Sequence, residues 1–521
     1  MSRAVCQAAA IALTGLQGTT VMVEAAVSQQ LPGLVIIGLP DASLSEAKQR
    51  VRTATTQAGL PLSDRLVMVN LAPAALPKQG SGFDLAIALA ALAASKHLPA
   101  KRLAETAHIG ELGLDGSIRR PAGLLSAVIA AKELGFQRVM VPAEGGAEAR
   151  LVLGLEVVEV SDLVSAVSWH RGEPIHSDRP TPLTVMQRPI TAGHASPQKQ
   201  PDMADVLGQP EAVEAMVVAA AGRHHISLLG PPGAGKTLLA ERLPTILPDL
   251  SPSESLTVSS IASLDGSRID ALITRPPFVS AHHTATSAAI IGSGDSRGIR
   301  PGAITRACHG VLFLDEAPEF GRKVLDGLRQ PLESGTIDIL RARVRTPLPA
   351  RIQLVIASNP CPCGNAGSPD TAPQCLCSPS TRVRYLQRLS GPLNDRIDLR
   401  LTVRRVANAQ FDDQLEAPRP TSAQLLNSVK AARSRAAARL AETPWTVNSE
   451  VTGDWLRGPR LRLPAEDTAV IDRALSRGVL TMRGYDRTLR LAWSIADLAG
   501  KERPGRSELA RALSLRGGVT V

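Results

Sequence analysis

One stretch constrains this chain more than any other: Gly230-Pro231-Pro232-Gly233-Ala234-Gly235-Lys236-Thr237, because of what flanks it. The apolar run Ile226-Ser227-Leu228-Leu229 precedes it and Leu238-Leu239-Ala240-Glu241-Arg242 follows, so the order predicted is strand, glycine-rich turn, helix. Glycines let backbone N–H groups curl around the β- and γ-phosphates of a nucleotide, and the helix start adds its dipole. Lys236 would neutralise phosphate charge and Thr237 would hold Mg²⁺. A glycine turn with a purely structural role has no need of Lys-Thr after it.

A second stretch agrees with the first. Val311-Leu312-Phe313-Leu314-Asp315-Glu316 reads as a buried strand that delivers two carboxylates to the C-terminal edge of a parallel sheet. Asp315 would complete the Mg²⁺ shell and Glu316 would orient and deprotonate the attacking water. Residues 352–358 read as another buried strand ending at Asn359, whose amide could reach the γ-phosphate and the water. Arg396 follows a turn and precedes a strand, where an arginine could project into a neighbouring subunit's nucleotide; a salt bridge to Asp395 or Asp398 is the alternative. Arg483, at a helix start capped by Thr481, could close over the γ-phosphate, whereas Arg487 and Arg490 are expected on a solvated face.

At 521 residues the chain needs several domains. Residues 1–170 alternate strand and helix patterns: 10–16, 20–26, 34–39 and 65–71 as strands, 42–58 and 85–95 as helices, and a strand-turn-strand over 110–118 with Asp115-Gly116 at its turn. Residues 171–204 hold several prolines and almost no periodicity, and read as a flexible linker. Residues 205–403 carry the nucleotide motifs, and 404–521 are helical by pattern, with Leu489, Trp493 and Ala496 along one stripe. Aromatics make up only 2% of the chain, which argues against base stacking as a main mode of nucleic-acid binding. No run of 18 apolar residues and no signal peptide is visible, so a cytoplasmic location and no membrane contact are expected.

Charge is unevenly placed. From residue 382 onward the chain has 25 Lys and Arg against 15 Asp and Glu, which accounts for the whole net charge of +10. A basic segment on a neutral body suits a polyanion partner. Arg341, Arg343 and Arg345 alternate within a stretch that reads as a hairpin, and on one extended face they would track phosphates of DNA; a solvated edge that blocks aggregation is the alternative. Cys361, Cys363, Cys375 and Cys377 could make a tetrahedral Zn²⁺ site that pins a surface loop, or stay as free thiols in a reducing compartment. His282 and His283 are expected to position a loop, since neighbours in a strand point to opposite faces and would rarely share an ion.

The first segment resembles the domain of the Lon protease superfamily that is also appended to the repair ATPase RadA, through Pro77-Lys78-Gln79-Gly80 and Gly110-Glu111-Leu112 to Gly123-Leu124. Laid on that pattern, the dyad serine falls at Gly82 and the lysine at Leu125, so the domain is expected to be proteolytically inert. A one-residue shift would put Ser81 at the nucleophile position, and Leu125 still supplies no base.

Taken together, the phosphate loop, Ala281-His282-His283-Thr284, the acidic strand through Phe320, Ser358-Asn359-Pro360-Cys361-Pro362-Cys363-Gly364, Ser390-Gly391-Pro392-Leu393-Asn394-Asp395-Arg396-Ile397-Asp398 and Arg483-Gly484-Tyr485-Asp486-Arg487 resemble the Mg-chelatase-like AAA+ ATPases of the YifB/ComM family, nearly end to end. The resemblance implies an α/β AAA+ P-loop motor with a C-terminal helical lid, preceded by the Lon-like domain. It also implies ATP and Mg²⁺ as cofactors, a hexameric homo-oligomer, and DNA branch migration in recombination or natural transformation, with recombination proteins as partners. By motif, Asn359 becomes the polar sensor, Arg396 the finger in trans and Arg483 the lid sensor. Ala281, where proline is usual, and Asn394, where an apolar residue is common, depart from the family without removing a catalytic group. Three activities are weighed: a DNA motor, a protein remodeller of the chelatase type, and a protease, which the missing dyad disfavours.

Overall fold

A computed structural model describes residues 5–38, 41–73, 82–175, 201–295, 298–341, 344–366, 372–389, 391–405 and 419–517. The 77–80 motif, Ser81, most of the expected linker and Arg343 lie outside the described residues.

The first body is built on a seven-stranded sheet. Its strands are β1 (Cys6–Thr14), β2 (Gln17–Val27), β3 (Gly33–Ile37), β4 (Leu66–Ala72) and β5 (Thr106–His108). A small hairpin of β6 (Glu111–Leu112) and β7 (Ile118–Arg119) follows, and then β8 (Arg138–Pro142) and β9 (Glu156–Val160). The sheet order is β3-β4-β2-β1-β5-β8-β9. β2 runs antiparallel to β1 and β4, and the remaining pairs are parallel. The Leu/Ala-rich helix Asp84–Ala94 is buried from Asp84 through Ala93, as an element apolar on all sides must be.

The central body is a five-stranded, wholly parallel sheet of β10 (Ile226–Leu229), β11 (Phe278–Ala281), β14 (Val311–Leu314), β17 (Gln353–Ser358) and β18 (Leu399–Thr402), in the order β11-β14-β17-β10-β18. Two antiparallel hairpins are inserted into it. β12 (Gly292–Asp295) and β13 (Gly298–Pro301) precede β14, while β15 (Thr336–Arg341) and β16 (Val344–Pro349) follow it. Near-continuous apolar strands of this kind are buried on both faces: every residue of β14 and β17 is buried. This mixed α/β architecture with a parallel sheet fits the P-loop AAA+ fold.

Helices Ser422–Arg439, Ala465–Ser476, Met482–Leu498 and Arg506–Gly517 share one apolar cluster with helix Pro210–Gly222 and with Ile226, Leu228 and Leu399 of the sheet. The expected stripe is there, with Leu489, Trp493 and Ala496 all buried.

The first and central bodies also meet directly, so residues 171–204 are not their only connection. Helix Leu124–Glu133 packs on helix Pro252–Leu264, and Gly123 N–H donates to Ser263 O at 2.9 Å. The buried ion pair Arg120–Glu148 sits in this junction. Ser263 Oγ donates to Glu148 Oε1 at 2.6 Å, and an Arg120 guanidinium N–H donates to Ser267 O at 2.6 Å. Leu125, at the position expected of a dyad lysine, is buried, and its N–H points at Glu148 Oε1 and Ser263 Oγ, each at 3.2 Å.

Candidate nucleotide site on the central sheet

Because all five strands are parallel, everything that follows a strand gathers at one edge. Gly230 follows β10, Asp315 and Glu316 follow β14, Asn359 follows β17, and His282 and His283 follow β11. The loop from Gly230 to Thr237 folds as its glycines require: Gly233 and Gly235 sit at φ +76° and +88°, and a Cβ on Gly230 would lie 2.2 Å from Val403 O. Lys236 opens the following helix, Lys236–Arg242, with its side chain turned back into the loop.

Lys236 Nζ donates to Gly230 O at 2.6 Å, Pro231 O at 3.0 Å and Asn359 Oδ1 at 3.0 Å. Burial pulls the ammonium below its ordinary range, and the Asp315 and Glu316 carboxylates oppose that pull. Thr237 Oγ1 donates to Asp315 Oδ2 at 3.2 Å. Glu316 takes the left-handed conformation at φ +52°, uncommon for a non-glycine residue, which turns its carboxylate out of the line of the strand. His283 Nδ1 lies 3.1 Å from Glu316 Oε2. Pro231, Pro232 and Ala234 complete the loop, and two side chains from outside it hold the carbonyls of the last two. Arg405 donates to Pro232 O at 2.7 and 3.0 Å, and Gln209 Nε2 to Ala234 O at 2.8 Å.

Those last two contacts have no motif behind them, and neither does the approach of His283 to Glu316. The chain leaves β11 at Ala281, so the two histidines are not in a strand. Their rings lie side by side, tilted by 37° with centroids 4.0 Å apart, instead of facing apart. His282 Nδ1 turns to Thr284 Oγ1 at 3.0 Å.

Arg396 and Arg483 are brought together elsewhere. Both line a cavity of about 580 Å³ with Arg223, Arg351, Arg487 and Arg490, and none of the phosphate-loop, acidic or Asn359 residues lines it. The same cavity wall includes His225, Ile352 and Asp398, the residues just ahead of β10, β17 and β18, which fixes it at the N-terminal edge of the sheet. A four-residue strand spans about 13 Å, so the two arginines stand a full strand length from their own phosphate loop.

At that edge Arg396 pairs with Glu333, not with Asp395 or Asp398. Arg487 pairs with Asp398 and donates to Arg396 O at 3.0 Å, while Arg490 donates to Val451 O at 2.7 Å. The expectation of a solvated face for Arg487 and Arg490 is therefore corrected. Burial would raise the Asp398 carboxyl, but Arg487 together with His224 and His225 holds it well below the usual carboxylate range.

The row of hairpin arginines is corrected too. Arg341 ends β15 and pairs with Val344 at the start of β16, so the chain reverses within the row and the three arginines do not share one strand. Arg345 donates to Asp338 Oδ2 at 2.6 Å, which already partners its charge.

The four cysteines converge. Cys361 Sγ lies 3.4 Å from Cys363 Sγ and 3.7 Å from Cys375 Sγ, and Cys363 Sγ lies 3.5 Å from the sulfurs of both Cys375 and Cys377. All four are free of disulfides.

Comparison with known proteins agrees along the whole length. Residues 202–411 match the family described as magnesium chelatase, subunit ChlI, residues 23–145 match subunit ChlI of Mg-chelatase, and 419–516 match the ChlI C-terminal family. An uncharacterized protein of Mycobacterium tuberculosis, Rv2897c, is 45% identical over 98% of both chains. The competence protein ComM of Haemophilus influenzae is 36% identical over 97% of this chain and 96% of its own. The uncharacterized protein YifB of Escherichia coli is 36% identical over the same shares. With relatives of that similarity covering nearly every residue, and the phosphate loop and paired acids at one edge of a parallel sheet, the chain belongs to the Mg-chelatase-like YifB/ComM family.

Proposed function

We infer that the chain is an ATP-hydrolysing AAA+ ring motor in which each nucleotide is worked on by two copies. The observation that carries this reading is the separation just described: phosphate loop, acids and Asn359 at one edge of the sheet, Arg396 and Arg483 at the other. A single chain cannot bring both sets to one nucleotide, whereas a ring that stacks one copy's arginine edge on the next copy's phosphate edge can.

Lys236 and the loop N–H groups would hold the phosphates. Thr237 and Asp315, already in contact, are the pair that fits Mg²⁺, which when bound draws charge from the phosphate oxygens. Glu316 takes the proton of the attacking water, with Asn359 orienting it. Arg396 and Arg483 of the neighbouring copy neutralise charge that develops on the γ-phosphoryl group. Zn²⁺ has no part in this reaction, because four thiolates would leave it no open position.

The work of the ring is DNA translocation, as in branch migration or helicase activity during recombination or natural transformation, in the cytoplasm and alongside recombination proteins. The basic segment after residue 382 supports this, as does the family name that includes a competence protein. No helix among the described residues is long and apolar enough to cross a membrane. Residues 1–170 serve as an inert Lon-like domain: Gly82 has no side chain and the buried Leu125 side chain supplies no base. Residues 404–521 serve as the Mg-chelatase-type lid domain, with Arg483 at the sheet edge opposite the phosphate loop of its own chain. Engagement of Arg345 by Asp338 favours a second reading, a chelatase-type remodeller of a partner protein.

ATP hydrolysis with and without forked and four-way DNA, at low and high salt, tests the choice. Stimulation that fades with salt is the expected result, because phosphate contacts release counterions. Turnover indifferent to every DNA would leave the remodeller.

A further inference from the structure

We propose that Cys361, Cys363, Cys375 and Cys377 hold one Zn²⁺, and that this metal knot braces the phosphate loop and Asn359, so that its occupancy sets nucleotide affinity. The inference rests on the nucleotide reading above for its second half and on the cysteines alone for its first.

The sulfur geometry fits a single ion. A tetrahedral zinc thiolate site with Zn–S bonds of about 2.3 Å has sulfurs about 3.8 Å apart, and the four observed separations run from 3.4 to 3.7 Å. They are too long for a disulfide, which needs about 2 Å, and an iron–sulfur cluster, with several metal atoms to enclose, would spread its thiolates wider. Ordinary packing does not explain the convergence. Of the four cysteines only Cys361 is buried, and Leu376, between the last two, is 96% exposed. With so little apolar surface to fold around, the loop has a reason to close on itself only if something binds the sulfurs. Two donors already face them: Ala366 N–H to Cys361 Sγ at 3.4 Å and an Arg382 guanidinium N–H to Cys375 Sγ at 3.4 Å. A site of four thiolates around a divalent ion carries net negative charge, and such donors offset it.

The knot also touches the nucleotide machinery. Cys361 is two residues beyond Asn359, whose Oδ1 accepts from Lys236. Gly364, inside the knot, turns at φ +79° with its N–H on Cys361 O, and presses its backbone so close to the phosphate loop that a Cβ there would lie 2.6 Å from Pro232 Cγ and Cδ. Pro232 is thereby held between Gly364 and the Arg405 guanidinium on its carbonyl. Ligand exchange at the cysteines would be felt at the loop within one van der Waals contact.

Elemental analysis of the full-length protein, purified under reducing conditions without added chelator, should give one zinc per chain. Metal-free protein in which all six thiols of the chain titrate overturns the site. Substitution by Co²⁺ should give the visible spectrum of a tetrahedral tetrathiolate centre; an octahedral spectrum overturns it equally. The brace is read by binding of a fluorescent ATP analogue in a Glu316→Gln background, where turnover plays no part. Cys375→Ser with Cys377→Ser should lose the metal and weaken binding about tenfold, and Gly364→Ala should keep the metal yet weaken binding by a similar factor. Parental affinity in both variants overturns the brace while leaving the metal site. No nucleotide binding by the zinc-loaded parent overturns instead the reading on which the brace depends.

Discussion

The two edges of the central sheet differ in how their charges are used. At the C-terminal edge Lys236 meets Asn359, Thr237 meets Asp315 and Glu316 meets His283 through contacts near 3 Å, and each contact is of a kind that a phosphate, a metal ion or a water can replace. At the N-terminal edge the arginines divide. Arg487 is committed to Asp398, whose side chain is 2% exposed, while Arg396, itself largely buried, meets Glu333, whose side chain is 59% exposed. Strand length does the separating. A parallel sheet collects loops at one end, and whatever precedes the strands is left a strand away, so Arg396 and Arg483 stand at the edge opposite Lys236, Asp315, Glu316 and Asn359.

Substitutions sharpen that contrast. Glu316→Gln, at the C-terminal edge, should lower ATP turnover about ten-thousandfold while ATP remains bound, as read by steady-state hydrolysis and filter binding. Arg396→Ala, at the other edge, should cost about a thousandfold in turnover with nucleotide affinity of the isolated chain unchanged. Arg483→Ala should cost about a hundredfold by the same assay. Arg487→Ala belongs to the same edge but to the opposite class: it strands the buried Asp398 carboxylate and should destabilise the fold by about 3 kcal/mol, seen as a shifted denaturation midpoint. If it instead spared stability and abolished turnover, the division between arginines on buried and on exposed carboxylates would be wrong. His283→Ala should have the smallest effect, a drop in kcat of about tenfold with KM unchanged, because it removes a group that positions Glu316 without touching the phosphates.

What could be read in the sequence was whatever spacing alone dictates. A strand, a glycine, four intervening residues and Gly-Lys-Thr leave the chain few ways to fold, and strands ending in Asp-Glu or Asn must deliver those groups to the same edge. The buried helix Asp84–Ala94 and the Asp115-Gly116 turn were visible for the same reason. Tertiary choices were not. Whether Arg487 faces water depends on which helix face meets the sheet, and Gln209 and Arg405 grip carbonyls, which leave no trace in the pattern of side chains. Alternation misled at Arg341 and Arg345, since a reversal within the row puts them on different strands. It misled again at His282 and His283, which lie beyond the strand whose period was applied to them.

The most direct test of the account mixes two inactive proteins. Glu316→Gln lacks the base but presents a normal arginine edge; Arg396→Ala lacks the finger but keeps a normal phosphate edge. Combined and allowed to assemble, they form interfaces in which an intact Glu316 faces an intact Arg396. The account predicts that ATP hydrolysis returns, to a fraction of the wild-type rate that depends on the mixing ratio. A mixture as inactive as either component, in assemblies shown to contain both chains, would contradict it.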